Sequence, residues 1–451
     1  MSLPSPSKET SFLIVGAGTI GLSTALHLSN RGYRNIVVLD RGATIPSAYS
    51  AGNDLNKIVR ADYEDAFYAT HALNAIQAWR TSPVFSPHYR QTGYLVTSSA
   101  AAPSKVTSHI SRLVASISSH PSQPTSSITS LPTPSAVRGK VPHLTGPLTG
   151  WSGYFNSHAG YASAAPALKA VYAELLARGI TFHLGASGDA VAILPDAETA
   201  RYFPAPKSYI RTADNQIHYA DVVVLATGAH TARLLPAAGA QLTAKAWAVG
   251  HVRVNAGEAA RLRGLPVVNC RDLGFLFEPA PAGEEGGEEE WLIKVCAHGG
   301  GYTNTCKEHG STSLPPSSAA ENNAIPVEDE ALMRRLLQEA LPEFSNRPLV
   351  RRFVCWCADT ADSEYVIDYV PGYEGLVLAG GDSGHAFKMF PIFGGWVVDM
   401  VEARAQKEKR WRWKAGSSDG KEDIDWRVGG VKDIKETSRK GDDLEAARAR
   451  L

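Results

Sequence analysis

The chain has 451 residues, 44% of them hydrophobic, with 45 basic and 45 acidic side chains. It is long enough for two buried cores and carries no net field to attract nucleic acid or an anionic membrane. No apolar run reaches the length of a membrane span, Met1–Ser7 lacks the apolar centre of a signal peptide, and five cysteines without framework spacing argue for reduced thiols in an intracellular protein. Small molecules are the expected partners.

In chain order, the first predicted element is a strand ending at Val15, followed by a Gly-x-Gly-x-x-Gly turn at Gly16, Gly18 and Gly21. A helical pattern runs from Leu22 to Arg31, and a second strand, Ile36–Asp40, ends on an acid. This order of strand, turn, helix and acidic strand end is that of a dinucleotide site. Gly16 permits the tight turn, Gly18 lets backbone approach a pyrophosphate, and Gly21 lets helix and strand pack closely. The diphosphate then sits on the helix N-terminus with Thr19 and Ile20, and Asp40 accepts from a ribose diol. The motif by itself does not separate FAD from NAD.

A helix-like stretch covers 62–80, and the Ser-, Pro- and Ala-rich run 98–147 reads as a loop-rich excursion without chemistry. Helical periodicity returns over 162–178, a strand is expected at 188–194, and the apolar run 220–228 ends in small residues as a buried strand beside a cofactor does. Between 236 and about 350 the pattern alternates strands and turns, which predicts an antiparallel sheet covering the cofactor. The acidic run 284–290 reads as a solvated hairpin loop, and the charged stretch after Glu402 as a flexible tail or exposed helix. The expected class is α/β. A discontinuous Rossmann-like cofactor domain takes 8–90, 150–235 and 350–410; a substrate domain takes 91–149 and 236–349; a charged tail takes 411–451.

Five segments point further: Ser50–Ile58, Gly150–Phe155, Gly301–Asn304, Cys355–Thr360 and Ser383–Lys388. In these, in this order, the chain resembles the monomeric sarcosine oxidase family, on the branch of fungal fructosyl amino-acid oxidases (amadoriases) and saccharopine or pipecolate oxidases. The resemblance covers nearly all of 10–405. It implies a glutathione-reductase-like FAD domain, covalently bound FAD, a monomer, and oxidation of a secondary amine by O2 with release of hydrogen peroxide. It also implies that Gly16, Gly18, Thr19, Ile20, Gly21, Asp40, Arg41, Ser50, Asn56, Lys57, Val191, Asp382, Gly384, His385, Phe387 and Lys388 contact the cofactor.

On the strand 352–357, Cys355 and Cys357 share a face, so spacing leaves both as attachment points. The resemblance implies Cys355, which immediately precedes the Trp of the motif. Lys294, in the strand 291–295, shares a face with Leu292 and Cys296 and points either to solvent or into the domain interface; the resemblance matches it to the oxygen-activating lysine. His298 stands where sarcosine oxidases carry a pocket histidine and fructosyl amino-acid oxidases an acid, a departure that weighs against glycated substrates. It reads otherwise as an ordinary turn histidine before Gly299. Arg60 and Lys388 match the family's active-site cations and would hold a substrate carboxylate, although Asp62 and Glu64 offer Arg60 a plain salt bridge. Ala386 replaces a glycine usual in the family.

The expected reaction is hydride transfer from the carbon beside a secondary amine to flavin N5, then imine hydrolysis and reoxidation by O2. Saccharopine, pipecolate, N-methyl amino acids, fructosyl amino acids and a biosynthetic amine intermediate are the candidate substrates. A nicotinamide-dependent reductase and a redox-silent flavoprotein are the competing classes. The ending Ala449-Arg450-Leu451 is a variant of the peroxisomal Ser-Lys-Leu address, so residence in the peroxisome is expected, otherwise the cytoplasm.

Overall fold

Three short β-branched runs, Phe12–Val15, Ile36–Asp40 and Val222–Leu225, pair in parallel with Phe12–Val15 at the centre. They are seen in a computed structural model that describes residues 6–194, 208–282, 290–306, 312–414 and 427–441. Thr181–Leu184 and Leu376–Gly380 extend the parallel sheet, and Val366–Tyr369 closes one edge antiparallel. Because side chains alternate across a strand, Phe12 and Ile14 enter one core while Leu13 and Val15 enter another. The first core is roofed by the helices Thr19–Asn30, Ala164–Ala177 and Phe390–Ala403. The helix Phe390–Ala403 lies so close to Thr19–Asn30 that the Ser23 hydroxyl donates to Phe390 O at 2.6 Å and accepts from Gly394 N at 2.8 Å. Across the other face runs the small antiparallel sheet Ala190–Leu194, Ser208–Thr212 and Ile217–Ala220.

The second sheet is built on Thr243–Val254, a long strand paired antiparallel with both Leu349–Asp359 and Trp291–Ala297. Gly274–Leu276, Val267–Cys270, Tyr94–Ser98, Ser152–Asn156 and Ile128–Leu131 continue it. The helix Val327–Ala340 packs Met333, Leu336 and Leu337 against Ala246, Ala248 and Val295 on one face. The other face looks toward the parallel sheet, and the functional cavity lies between the two. The α/β class is thus as expected from the sequence, and the covering sheet is mixed rather than purely antiparallel, since Val267–Cys270 pairs parallel with Tyr94–Ser98 and Tyr302–Thr303 with Lys432–Asp433.

Three expectations change. The helix expected from Asp62 starts at Ala66, because Asp65 takes an extended backbone and its side chain accepts from Phe67 N, capping the first turn. The Ser- and Pro-rich run is ordered: it contains the helix Ser104–Ser119, the strand Ile128–Leu131 and the helix Pro134–Lys140. Val106, Ile110, Leu113 and Ile117 form a buried stripe of helical period, which the serines on the opposite face hide in the composition. The charged C-terminal stretch docks where it is described: Lys432–Asp433 pairs with Tyr302–Thr303, Arg439–Gly441 pairs with Ala324–Pro326, and Ile434 enters the second core. One apolar residue among charges carries no periodic signal. The acidic run 284–290 lies almost wholly outside the described residues; the strands Ala280–Pro281 and Trp291–Ala297 on either side of it pair antiparallel.

Candidate active site

One cavity of about 580 Å³ runs from the glycine turn to the second sheet. At its first end, Gly16 takes φ +105°, and a Cβ there would lie 2.5 Å from Ala226 O. A Cβ at Gly21 would lie 1.8 Å from Gly16 O, so the turn and the helix touch backbone to backbone. Gly18 caps the helix without a side-chain hydrogen bond, leaving the first N–H groups of Thr19–Asn30 to a ligand. Gly16, Gly18, Thr19, Ile20, Asp40, Arg41, Ser50 and Val191 line this end. The Asp40 carboxylate accepts from Ala17 N at 2.7 Å and Gly42 N at 2.8 Å, while burial raises its pKa above the ordinary range. The Arg41 guanidinium stacks 3.9 Å from the Tyr49 ring and lies 3.8 Å from Asp189. An uncapped helix end, an acid at the neighbouring strand end and a cation beyond it fit the adenosine diphosphate half of a dinucleotide.

At the centre, two lysines converge on one carboxylate, and a cysteine lies beside one of them. The strand Trp291–Ala297 buries Leu292, Lys294 and Cys296. Its Lys294 is 2% exposed, and Nζ donates to Asp54 Oδ2 at 2.5 Å and to Asn56 O at 2.7 Å. The lysine therefore points into the interior beside the cavity, not to solvent. Lys57 Nζ lies 2.8 Å from the same Asp54 oxygen and 3.6 Å from Cys355 Sγ. Burial opposes the Asp54 charge, yet Lys294 and Lys57 hold its carboxyl well below the usual range. Burial likewise opposes the Lys57 charge, and Asp54 and Cys355 outweigh it, raising the ammonium pKa.

Both Cys355 and Cys357 line the cavity, so the shared face read from the strand period is real. They differ in charge. The Cys357 thiol donates to Cys355 Sγ, and although burial opposes it, Lys57 adds its attraction; together they bring the Cys355 thiol down to about 6. Cys357, beside that sulfur and buried, is pushed well up. A thiolate is the form that bonds to an electrophile.

At the far end, Arg60, Lys388, His298, Asn269 and Arg271 line the same cavity. Arg60 donates to the Asp62 carbonyl oxygen, not to a carboxylate, and stands 5.1 Å from the Tyr63 ring. Asp62 instead accepts from Tyr154 at 2.9 Å and Asn156 at 3.0 Å, and Glu64 is taken by His109 and Arg112. Lys388 Nζ donates to Tyr63 Oη at 3.0 Å and His385 O at 3.1 Å. Burial, then the Arg60 charge, pull its pKa well down. His298 is no turn residue on the surface. Its Nε2 donates to Asn269 Oδ1 at 2.8 Å, Asn269 Nδ2 donates to Tyr94 Oη at 2.6 Å, and burial with the Arg271 charge keeps the ring neutral. Asp382, Gly384, His385 and Phe387 line the cavity beside Lys388, with the Asp382 carboxylate accepting from Ala358 N at 2.7 Å and Gly384 N at 3.0 Å. Of the residues expected at the cofactor, Gly21 and Asn56 lie just behind the lining. Gly21 closes the turn and Asn56 offers its carbonyl to Lys294.

Residues 11–400 match the family model described as FAD dependent oxidoreductase. The chain belongs to that family. It is 30% identical to the L-saccharopine oxidase of Schizosaccharomyces pombe, over 92% of this chain and 95% of that one. Monomeric sarcosine oxidase of a Bacillus species is 23% identical over 85% of this chain and 90% of that enzyme. Among solved structures, fructosamine oxidase (Amadoriase II) from Aspergillus fumigatus superposes with a TM-score of 0.83 at 32% identity, covering 97% of this chain and 98% of the other. The oxidoreductase is therefore a flavoenzyme and its dinucleotide is FAD, the family resemblance read from the motifs being the right one. A nicotinamide cofactor, which the glycine motif had left open, is set aside.

Asp54 and Arg271 were missed in the sequence. Asp54 lies inside the segment Ser50–Ile58, three residues before Lys57, and its one signal is an acid just ahead of the strand Asn56–Val59. Arg271 had no signal, since its run Asn269-Cys-Arg-Asp272 reads as a turn.

Proposed function

We propose that this flavoenzyme oxidises a secondary amine bearing a carboxylate, with O2 as acceptor and hydrogen peroxide as product. One observation carries the reading: a single cavity joins a dinucleotide cradle, a buried Lys294–Asp54–Lys57 cluster and a chamber walled by Arg60, Lys388 and neutral His298. FAD held along Gly16, Gly18, Asp40 and Cys355 would supply the two-electron chemistry that couples oxidation of the C–N bond to reduction of O2. The protein supplies position and charge. Arg60 offers a planar fork and Lys388 a point charge to one carboxylate, which fixes where the amine lies. With its Nε2–H given to Asn269, neutral His298 keeps Nδ1 as an acceptor for a proton leaving the amine. Lys294 places a fixed cation where negative charge grows on oxygen, and the Cys355 thiolate anchors the cofactor. In this reading 8–90, 150–235 and 350–410 hold the FAD, 91–149 and 236–349 cover the substrate, and the enzyme works as a monomer.

The similarity to L-saccharopine oxidase supports an N-substituted amino acid, and the fructosamine oxidases among the structural neighbours make glycated amino acids the runner-up. A peroxide-coupled screen of purified holoenzyme against secondary amines and amino acids decides. Turnover of carboxylate-bearing amines is expected, and their complete inertness would defeat the proposal. In the same assay Arg60→Gln and Lys388→Met are each expected to raise KM for such substrates by about 10- to 100-fold, the worth of one charge-assisted pair. Unchanged KM would exclude the clamp.

The address Ala449-Arg450-Leu451 lies outside the described residues. Support comes from the ending itself and from relatives that include the peroxisomal sarcosine oxidases of mouse and human, each 22% identical. A fluorescent protein fused ahead of the native C-terminus should give punctate signal that becomes diffuse on deletion of Leu451; diffuse signal from the intact fusion would refute peroxisomal residence.

A further inference from the structure

Lys388 is held by a chain of hydrogen bonds that begins outside the cavity. In the turn after Thr360, Ser363 takes a left-handed backbone, φ +60°, a conformation that favours glycine. Held there, Ser363 O lies 2.9 Å from His385 Nε2. A carbonyl oxygen can only accept, so Nε2 carries the imidazole proton. Burial, then the Lys388 charge, keeps the ring neutral, and Nδ1 is therefore bare. Two hydroxyls meet it, Tyr63 Oη at 3.1 Å and Tyr365 Oη at 3.0 Å. Tyr365 has a second acceptor in His385 O at 3.3 Å, whereas the Tyr63 hydroxyl donates to Nδ1.

The consequence appears at Tyr63. With its proton given to His385, the phenol presents its oxygen to Lys388 and accepts from Nζ at 3.0 Å. His385 O accepts a second N–H of the same ammonium at 3.1 Å. Two of the three N–H directions are thereby fixed, and tetrahedral geometry fixes the third, the one left to a ligand in the cavity that Lys388 lines. The Tyr63 ring serves the other cation, for the Arg60 guanidinium stands 5.1 Å from its centroid. One side chain thus touches both cations of the chamber. Tyr63 is stacked on Tyr68 at 5.6 Å and stands behind the cavity lining, so it reaches a ligand only through them.

We infer that Tyr63 is a positioning residue: hydrogen-bonded to a His385 whose tautomer Ser363 O fixes, it aims the Lys388 ammonium at the carboxylate shared with Arg60. This role presupposes the Arg60–Lys388 clamp proposed above. Tyr63 acts on affinity and placement of the substrate and takes no part at the reacting carbon.

Propionate, which cannot be oxidised as an amine, is titrated into holoenzyme and followed by the change in flavin absorbance. Tyr63→Phe keeps the ring on Tyr68 and removes the oxygen. It should weaken propionate by about 10-fold, the worth of one hydrogen bond to a charged group. In turnover it should raise KM for a carboxylate-bearing amine by a like factor while kcat holds. In a Lys388→Met background the same change should do almost nothing, because Tyr63 acts through that ammonium. Tyr365→Phe takes a buried hydroxyl from the same imidazole without touching Lys388, and should leave binding near the wild-type value.

A pH profile separates aim from packing. The charged and titratable groups facing Lys388 are Arg60, Asp62, Tyr63 and His385; Arg60 opposes its charge and Asp62 favours it. The Tyr63 oxygen stabilises the ammonium, so without it the lysine loses its proton more readily. The fall in propionate affinity as pH rises should then begin at a lower pH in Tyr63→Phe than in the wild type. An unshifted profile, equal effects of Tyr63→Phe and Tyr365→Phe, or full additivity of Tyr63→Phe with Lys388→Met overturns the positioning role. So does weakening by Lys388→Met without any by Tyr63→Phe, which leaves the clamp standing. If Lys388→Met itself moves no acid, the clamp falls and the role of Tyr63 falls with it.

Discussion

Lys294→Met is expected to slow reoxidation of the reduced enzyme by O2 by about 10²- to 10³-fold, the loss typical of one preorganised group facing developing charge. The rate at which substrate reduces the enzyme should change far less. The asymmetry follows from where charge appears: the ammonium meets a neutral molecule until the first electron arrives, and only then stabilises an anion. Nothing else need move, because Met fills nearly the same volume and Asp54 keeps Lys57 at 2.8 Å after the Lys294 contact is gone. That spare partner also predicts a modest stability loss rather than unfolding, since the remaining carboxylate is not left alone in the interior. Stopped-flow traces of the two half-reactions, taken separately, check the claim. Equal slowing of both would show Lys294 to be a structural residue.

The second large effect is on cofactor retention. Wild-type protein precipitated with acid should stay yellow in the pellet, whereas Cys355→Ala should release all its flavin and Cys357→Ala should keep it. The two cysteines share a face and a cavity, so reach does not choose between them. Charge does. The Cys357 thiol donates to Cys355 and Lys57 Nζ lies 3.6 Å from the Cys355 sulfur, which together favour the Cys355 thiolate, while Cys357 is pushed up and stays a thiol. The sign also sets a pH dependence: attachment of FAD to apoprotein should slow as pH falls below about 6, where Cys355 takes up its proton. Flavin retained by Cys355→Ala and lost from Cys357→Ala would reverse the assignment.

Much of this molecule was decided locally and was legible as sequence. The turn at Gly16, Gly18 and Gly21 needs residues without a Cβ because backbone meets backbone there, and such a need shows in one short run. The strand Trp291–Ala297 put Lys294 on a face with Leu292 and Cys296 by period alone. The family's motifs then named the cofactor and most of the residues expected beside it, which line the cavity.

Other features belonged to the tertiary structure, because they arise from residues far apart in the chain. The choice of Cys355 over Cys357 by charge depends on Lys57, nearly three hundred positions earlier, lying 3.6 Å from one sulfur. Asp54 became the hub of two lysines only when the strand bearing Lys294 was laid over it. The Ser-rich helix Ser104–Ser119 and the docked strands after Arg427 exist because other elements cover a few apolar side chains, a gain that composition does not record. Arg271 is the extreme case. In sequence it is one arginine in a turn, and only the closing of two sheets around a shared cavity sets its charge beside those of Arg60 and Lys388. Electrostatic crowding depends on distance in space, and the spacing of residues along a chain does not contain it.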